Sequence, residues 1–494
     1  MTSSGRVEVM IIVLDGLRPD MVTADVMPCL TKFQQRATTF SNARSVFPSV
    51  TATAAASMAT GLLPGRHGVA GSEAYWPTIA RDRLIDLTDH RMVRGAHQAL
   101  PGGILAGTTL GDALARANRS LAIVDAGSPV ASTLLDPDAN RNGHWTFSTV
   151  DRLATPTPKA WDEIVARFGY PPERELPRFD EMRFATRIMV EHVLGELAPS
   201  VAVLWLCEPD ASSRYREIGS LETENALRQA DRRLARVLQA IDRRQGLETT
   251  LVVVASDHGQ ITATSSVDVC REMRLARFPV GGRERLVGAD LVYAGRGYGS
   301  LTPTTPDSAL LERAARWLLE QPWIGNVMMS GGNDVEGPVP GTLSTSLGGL
   351  WHERSPAHTP AIYFTFASDD GLDRHGVAGR GHHGAIGAGC LGTHGGLNRF
   401  EMSTLLMIAG PGFPCGATNS AVAGVVDIAP TVLAHLGLGP LDGATGRDLA
   451  RLRPEPRRTI KVETAAGASS QSVVIADVGG PRLEIGGRSD QPTS

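Results

Sequence analysis

The sequence predicts an α/β fold: a mostly parallel central sheet with helices on both faces and a cap region inserted into it. Three observations carry this. Short apolar runs rich in β-branched residues recur along the chain, and most end at an acidic residue or a glycine turn. Stretches of helical periodicity lie between them. No internal repeat offers a solenoid instead. Strands that alternate with helices pair in parallel and are covered on both faces.

The first strand, Val9–Leu14, ends at Asp15. Further strands are expected at 121–124, at Val201–Leu206, at 250–254 and at 405–408, the last closed by a Gly-Pro-Gly turn. The longest amphipathic helix is Leu221–Arg244, with apolar residues spaced near 3.6. In sheets of this kind ligands bind beyond the carboxyl ends of the strands, where these acidic residues fall. The domain organisation expected is a first core part at 1–261, with loop insertions near 70–105 and 127–180, and an inserted cap at 262–390 holding one helix at 308–321. A second core part at 391–450 and a polar extension at 451–494 follow. Strands are expected in the extension at 459–463 and 472–476, with the last dozen residues frayed.

A chain of 494 residues with 42% hydrophobic and 20% charged residues can bury a sizeable core. Its net charge of -4 points to no nucleic-acid-binding surface. No apolar run is long enough for a membrane span, and the polar start carries no secretory pattern. The cysteines number 5, are scattered and include no C-x-x-C pair, which argues against a disulfide framework or a thiolate zinc site. A cytoplasmic location is the expectation.

Five segments carry the chemistry. In Leu14-Asp15-Gly16 a carboxylate ends a buried strand, which suits a metal ligand on rigid backbone and equally an N-cap of the next helix. Phe47-Pro48-Ser49-Val50-Thr51-Ala52-Thr53 runs into an Ala-rich helix closed by Gly61 and Pro64, then His67-Gly68. Thr51 at the helix start would face free N–H groups and the helix dipole, which favour a phosphate. Either threonine could instead be an N-cap. Ser256-Asp257-His258-Gly259 follows a strand, where a turn lets both side chains reach one ion. Oxygen and nitrogen ligands together suit zinc or manganese better than calcium. Glu208-Pro209-Asp210 and Gly392-Thr393-His394-Gly395 are the remaining two, and a histidine flanked by glycines also fits a surface turn. The pair His382 and His383 could supply a further ligand or acid, or lie in a surface loop.

Taken together, and with Val426-Asp427-Ile428-Ala429-Pro430-Thr431 downstream, these segments resemble the type I phosphodiesterase/nucleotide pyrophosphatase branch of the alkaline phosphatase superfamily. The resemblance spans 7–68, 200–260 and 390–450, the core without its insertions. It implies an alkaline-phosphatase-like fold. It also implies a metal-dependent hydrolase of phosphodiester or nucleotide pyrophosphate bonds acting through a phospho-threonine at Thr51. The divalent metal would be zinc, with manganese an alternative, and the substrate a small-molecule phosphate ester. One site takes Asp15, Thr51, Asp257 and His258 by motif match, and the other takes Asp210, the residue four after it, and His394.

Two positions depart from the family pattern. The residue four after Asp210 is Arg214 where the family has histidine. A guanidinium stays protonated and is no ordinary ligand, so one ion is expected in place of two. Ser72 stands in the slot of an asparagine that donates to phosphoryl oxygens. Arg214 can serve as a cation in place of the second metal, which shifts preference toward a phosphomonoester, phosphonate or sulfate ester. The other alternative is an impaired enzyme acting as a binding protein.

Overall fold

Strands buried on both faces read as unbroken apolar runs, and the centre of the molecule is built from them. The computed structural model describes residues 6–244, 246–346, 360–385, 389–454, 459–466, 469–477 and 481–490. Its main sheet has eight strands in the order Thr418–Gly424, Thr38–Arg44, Leu406–Ala409, Leu251–Ala255, Val9–Leu14, Val201–Leu206, Leu121–Ala126 and Trp145–Ser148. Leu406–Ala409 runs against its neighbours, and the other strands are parallel to one another.

Alternation along one strand separates the two covering layers. Val9, Ile11 and Val13 pack with the helix Thr51–Thr60. Met10, Ile12 and Leu14 pack on the opposite face with Leu227, Leu234 and Ile241 of Leu221–Arg244. The helix Thr51–Thr60 is buried from Ala52 onward, and its alanines let it lie close to the sheet and to helix Pro129–Leu135.

The stretch 127–180, expected as loop insertion, contributes the edge strand Trp145–Ser148 and the helices Pro129–Leu135 and Pro158–Phe168. A separate six-stranded sheet runs from Val280–Gly281 to Leu343–Ser344 and packs on helix Ser308–Leu319 around its own core. A four-stranded sheet joins Ile261–Val267 and Gly392–Thr393 to Ala378–Gly384 and Ser368–Leu372. The extension forms a three-stranded sheet of Thr459–Ala466, Ser469–Asp477 and Pro481–Asp490. The frayed end expected from the sequence therefore runs as strand as far as Asp490, because it pairs with the preceding strand, and 491–494 lie outside the described residues. Among the described residues no helix is long and apolar enough to cross a membrane.

Candidate active site

Strand register brings the acidic residues together. Val13 pairs with Ala255, and two residues further along the same parallel register Asp15 comes beside Asp257. Leu14 pairs with Leu206 on the other side, and Asp210 follows that strand. Gly16 makes the turn with φ +73°, and a Cβ there would meet Gln260 at 2.6 Å and Asp210 at 3.0 Å, so glycine is required.

Each buried carboxylate spends one oxygen on the protein and keeps the other free of hydrogen bonds. Trp205 Nε1 donates to Asp15 Oδ2 at 2.9 Å. The backbone N–H groups of Gly16 and His258 each donate to Asp257 Oδ1 at 3.0 Å. Asp15 Oδ1 and Asp257 Oδ2 are buried without a hydrogen-bond partner. His258 donates from Nδ1 to the Gly259 carbonyl at 3.0 Å, which leaves Nε2 as a bare acceptor. That nitrogen stands 3.2 Å from Asp257 Oδ2, 3.6 Å from Asp15 Oδ1 and 3.2 Å from the Thr51 hydroxyl. Burial first, then the nearby Asp257 and Asp210, push Asp15 well above the usual carboxylate range. Two orphaned buried oxygens and a bare imidazole nitrogen are the donor set of a divalent cation, and Asp15, Asp257 and His258 fit one.

Thr51 is the first residue of its helix. The N-cap position is Val50, and no side chain caps the end, so the N-cap alternative for Thr51 and Thr53 does not hold. The threonine hydroxyl is left to face His258.

At the second cluster Arg214 takes a ligand's place. Its Nη2 donates to Asp210 at 3.1 Å and to His394 Nε2 at 2.5 Å. His394 Nδ1 donates to the Ser49 carbonyl at 2.9 Å, which fixes the tautomer and buries a residue that a surface turn would have exposed. Burial, then His258 and Arg214, hold His394 well below the usual histidine range. Burial opposes the charge on Arg214, and Asp210 together with Cys390 and Tyr215 more than offsets it, so the guanidinium is held above its usual range. Asp210, His258 and His394 could also gather around an ion. With Arg214 bonded to Asp210 and His394, this cluster already holds its cation.

Ser72 lines the same cavity of about 310 Å³ as Thr51, Asp15, Arg214 and His394. Its N–H donates to the Tyr298 hydroxyl at 3.0 Å, and its own hydroxyl is buried without a partner. His382 and His383 lie on the strand Ala378–Gly384, bonded to Ser265 and the Gly384 carbonyl, and belong to neither ligand cluster.

Residues that the motifs do not mark also reach the site. Gln260 donates to Asp210, and the cavity wall includes Arg174, Arg178 and Arg296. The position of Gln260 directly after Asp257-His258-Gly259 was the available signal for it; the arginines sit in segments with no periodicity or motif.

A family model for type I phosphodiesterase/nucleotide pyrophosphatase matches residues 9–280, which include Asp15, Thr51, Asp210, Asp257 and His258. The chain belongs to that family. In fold it is similar to murine ectonucleotide pyrophosphatase/phosphodiesterase 5, at 15% identity and a TM-score of 0.59, over 88% of this chain and 96% of that one. An inactive variant of the same murine protein in complex with AMP matches at 14% identity and the same TM-score, over 88% and 96%. Curated protein sequences give no significant match. The family is one of phosphodiesterases and nucleotide pyrophosphatases, and the eight-stranded sheet with its helices has the alkaline-phosphatase-like fold.

Proposed function

We propose that the chain is a metal-dependent hydrolase of phosphodiester or nucleotide pyrophosphate bonds that forms a phospho-threonine at Thr51. The observation that supports this is the meeting of the Thr51 hydroxyl, bare His258 Nε2 and the unpartnered oxygens of Asp15 and Asp257. Asp15, Asp257, His258 and Thr51 would hold one divalent ion, zinc in first place and manganese in second. Bound there, such an ion would supply Lewis-acid polarisation and lower the pKa of the hydroxyl.

The chain's own groups do the rest. The helix start presents backbone N–H groups to the phosphoryl oxygens. Arg214 donates to one of those oxygens as a fixed cation, with Ser72 beside it in the cavity. The Thr51 oxygen forms a bond to phosphorus as the ester oxygen leaves. Water then forms its own bond to phosphorus, the Thr51 oxygen departs and regains its proton. With Arg214 bonded to His394 Nε2, no strong base stands beside that water, so the second step is expected to be the slow one. In this reading residues 262–390 form the cap that bounds the substrate.

The ion pair of Arg214 with Asp210 favours a second reading, a phosphomonoester, phosphonate or sulfate ester hydrolase with one metal. Metal analysis with a panel of nitrophenyl phosphate diesters, monoesters and a sulfate separates the two. Faster turnover of the diester with one bound ion is expected. Sulfate as the best substrate would replace the first reading with the second, and full activity in metal-free protein would end both.

A further inference from the structure

We propose that the cavity beside Thr51 recognises a second anionic group on its substrate, a carboxylate or phosphoryl, at a guanidinium pair formed by Arg174 and Arg178. This rests on the hydrolase reading and names the substrate class of the same site.

Both arginines come from the loop that precedes helix Phe179–Ile188, and both line the cavity that holds Thr51. They share one carboxylate. Arg174 Nε lies 3.3 Å from Glu181 Oε1 and Arg178 Nη1 3.2 Å from Glu181 Oε2. The Glu181 side chain is 1% exposed, against 37% for Arg174 and 17% for Arg178, so the acid sits behind and the guanidinium groups face the opening. Arg174 Nη2 also donates to the carbonyl of Gly127, a cavity residue, at 2.9 Å, which holds the fork in place.

The two guanidinium groups at this wall are less directly matched by acids than the other arginines of the cavity, Arg214 and Arg296. Arg214 is matched by Asp210. Arg296 and Arg283 together face Glu73 and Asp86. Here two guanidinium groups share Glu181, whose ionisation burial disfavours. Two further acids stand near them, both buried and disfavoured as anions by that burial: Asp125, hydrogen-bonded by Ser148 and the Ser128 backbone and attracted by Arg174, and Glu208, hydrogen-bonded by the backbone of Arg178 and Ser212. Paired guanidinium forks in a partly dry cleft bind carboxylate or phosphoryl oxygens through charge-assisted hydrogen bonds.

Three diesters test this at equilibrium: dipropyl phosphate, propyl 2-carboxyethyl phosphate and propyl 2-phosphonoethyl phosphate. Each is bound to the metal-loaded Thr51→Ala protein, so neither turnover nor the direction of binding matters. The charged arms are expected to tighten binding by about tenfold over dipropyl phosphate, and the stronger of the two identifies the group. Arg174→Gln and Arg178→Gln in that background should each cut the advantage to under about twofold while dipropyl phosphate binds as before. Glu181→Gln should enlarge it, a gain that a damaged fold would not produce. Equal affinity for the three esters, or an advantage that survives both arginine changes, overturns the proposal. Charge preference in a wild-type protein that turns over no phosphate ester would leave the subsite standing and remove the hydrolase reading.

Discussion

Arg214 Nη2 lies 2.5 Å from Nε2 of His394, so a guanidinium occupies the place where a metal would be ligated by that histidine. The same nitrogen reaches Asp210 Oδ1 at 3.1 Å. A fixed cation attracts a phosphoryl oxygen but cannot activate a water as a Lewis acid does.

Arg214→His should therefore rebuild a three-ligand set with Asp210 and His394 and raise bound metal from one ion toward two. Arg214→Ala should lose activity, because Asp210 would be left as an unpaired charge facing an anionic substrate. Metal stoichiometry measured with turnover reads both variants. Wild-type activity in Arg214→Ala would place Arg214 outside the chemistry, and two ions in the wild type would end the one-metal reading.

Thr51→Ala should reduce turnover by on the order of 10³-fold or more, since the attacking oxygen is gone. Thr51→Ser should keep part of it. Thr53→Ala should keep most, because Thr53 is fully buried in the helix. Steady-state kinetics of the three variants, with trapping of a covalent phosphoprotein in acid, is the check. Equal losses at Thr51 and Thr53 would mean that the helix, not the hydroxyl, had been damaged.

Chelation should abolish activity and lower the melting temperature, and added zinc or manganese should restore both, because an ion that binds only the folded state stabilises it by mass action. In Asp15→Asn, which removes one of the two unpartnered oxygens as a charged ligand, chelation should hardly move the melting temperature. A wild-type protein whose melting curve and activity ignore the chelator does not carry this site.

Stability should fall in acid through His67. This histidine holds the helix Thr51–Thr60: Val69 N–H donates to Nδ1 at 3.2 Å, so Nε2 carries the proton and donates to Ser57 Oγ at 2.9 Å. Burial lowers its pKa from 6.5 to about 3. Between those values the unfolded chain binds a proton that the folded chain does not, so stability rises with pH there and levels off above 6.5. The contribution is about 1.4 kcal/mol per pH unit in that window. Urea midpoints between pH 5 and 7.5 should fall more steeply toward acid in the wild type than in His67→Gln. Parallel slopes would show that His67 is protonated without cost.

The chain's own pattern determined the α/β class, the strand ends that carry Asp15 and Asp257, and the glycine-closed helix that begins at Thr51. These follow from periodicity and turn chemistry, which act over a few residues. The adjacent letters of Asp257-His258 were legible in the same way, whereas Asp210, the four-residue step to Arg214 and His394 were marked by the resemblance to the family. Tertiary structure alone decided which oxygen of each carboxylate stayed free, that His394 is buried and held by the Ser49 carbonyl, and that the unmarked stretch 127–180 supplies an edge strand. It also decided that Arg174 and Arg178 share Glu181 on the wall facing Thr51. Those facts depend on strand register and on packing between segments far apart in the chain, where spacing along the sequence carries no information about distance in space.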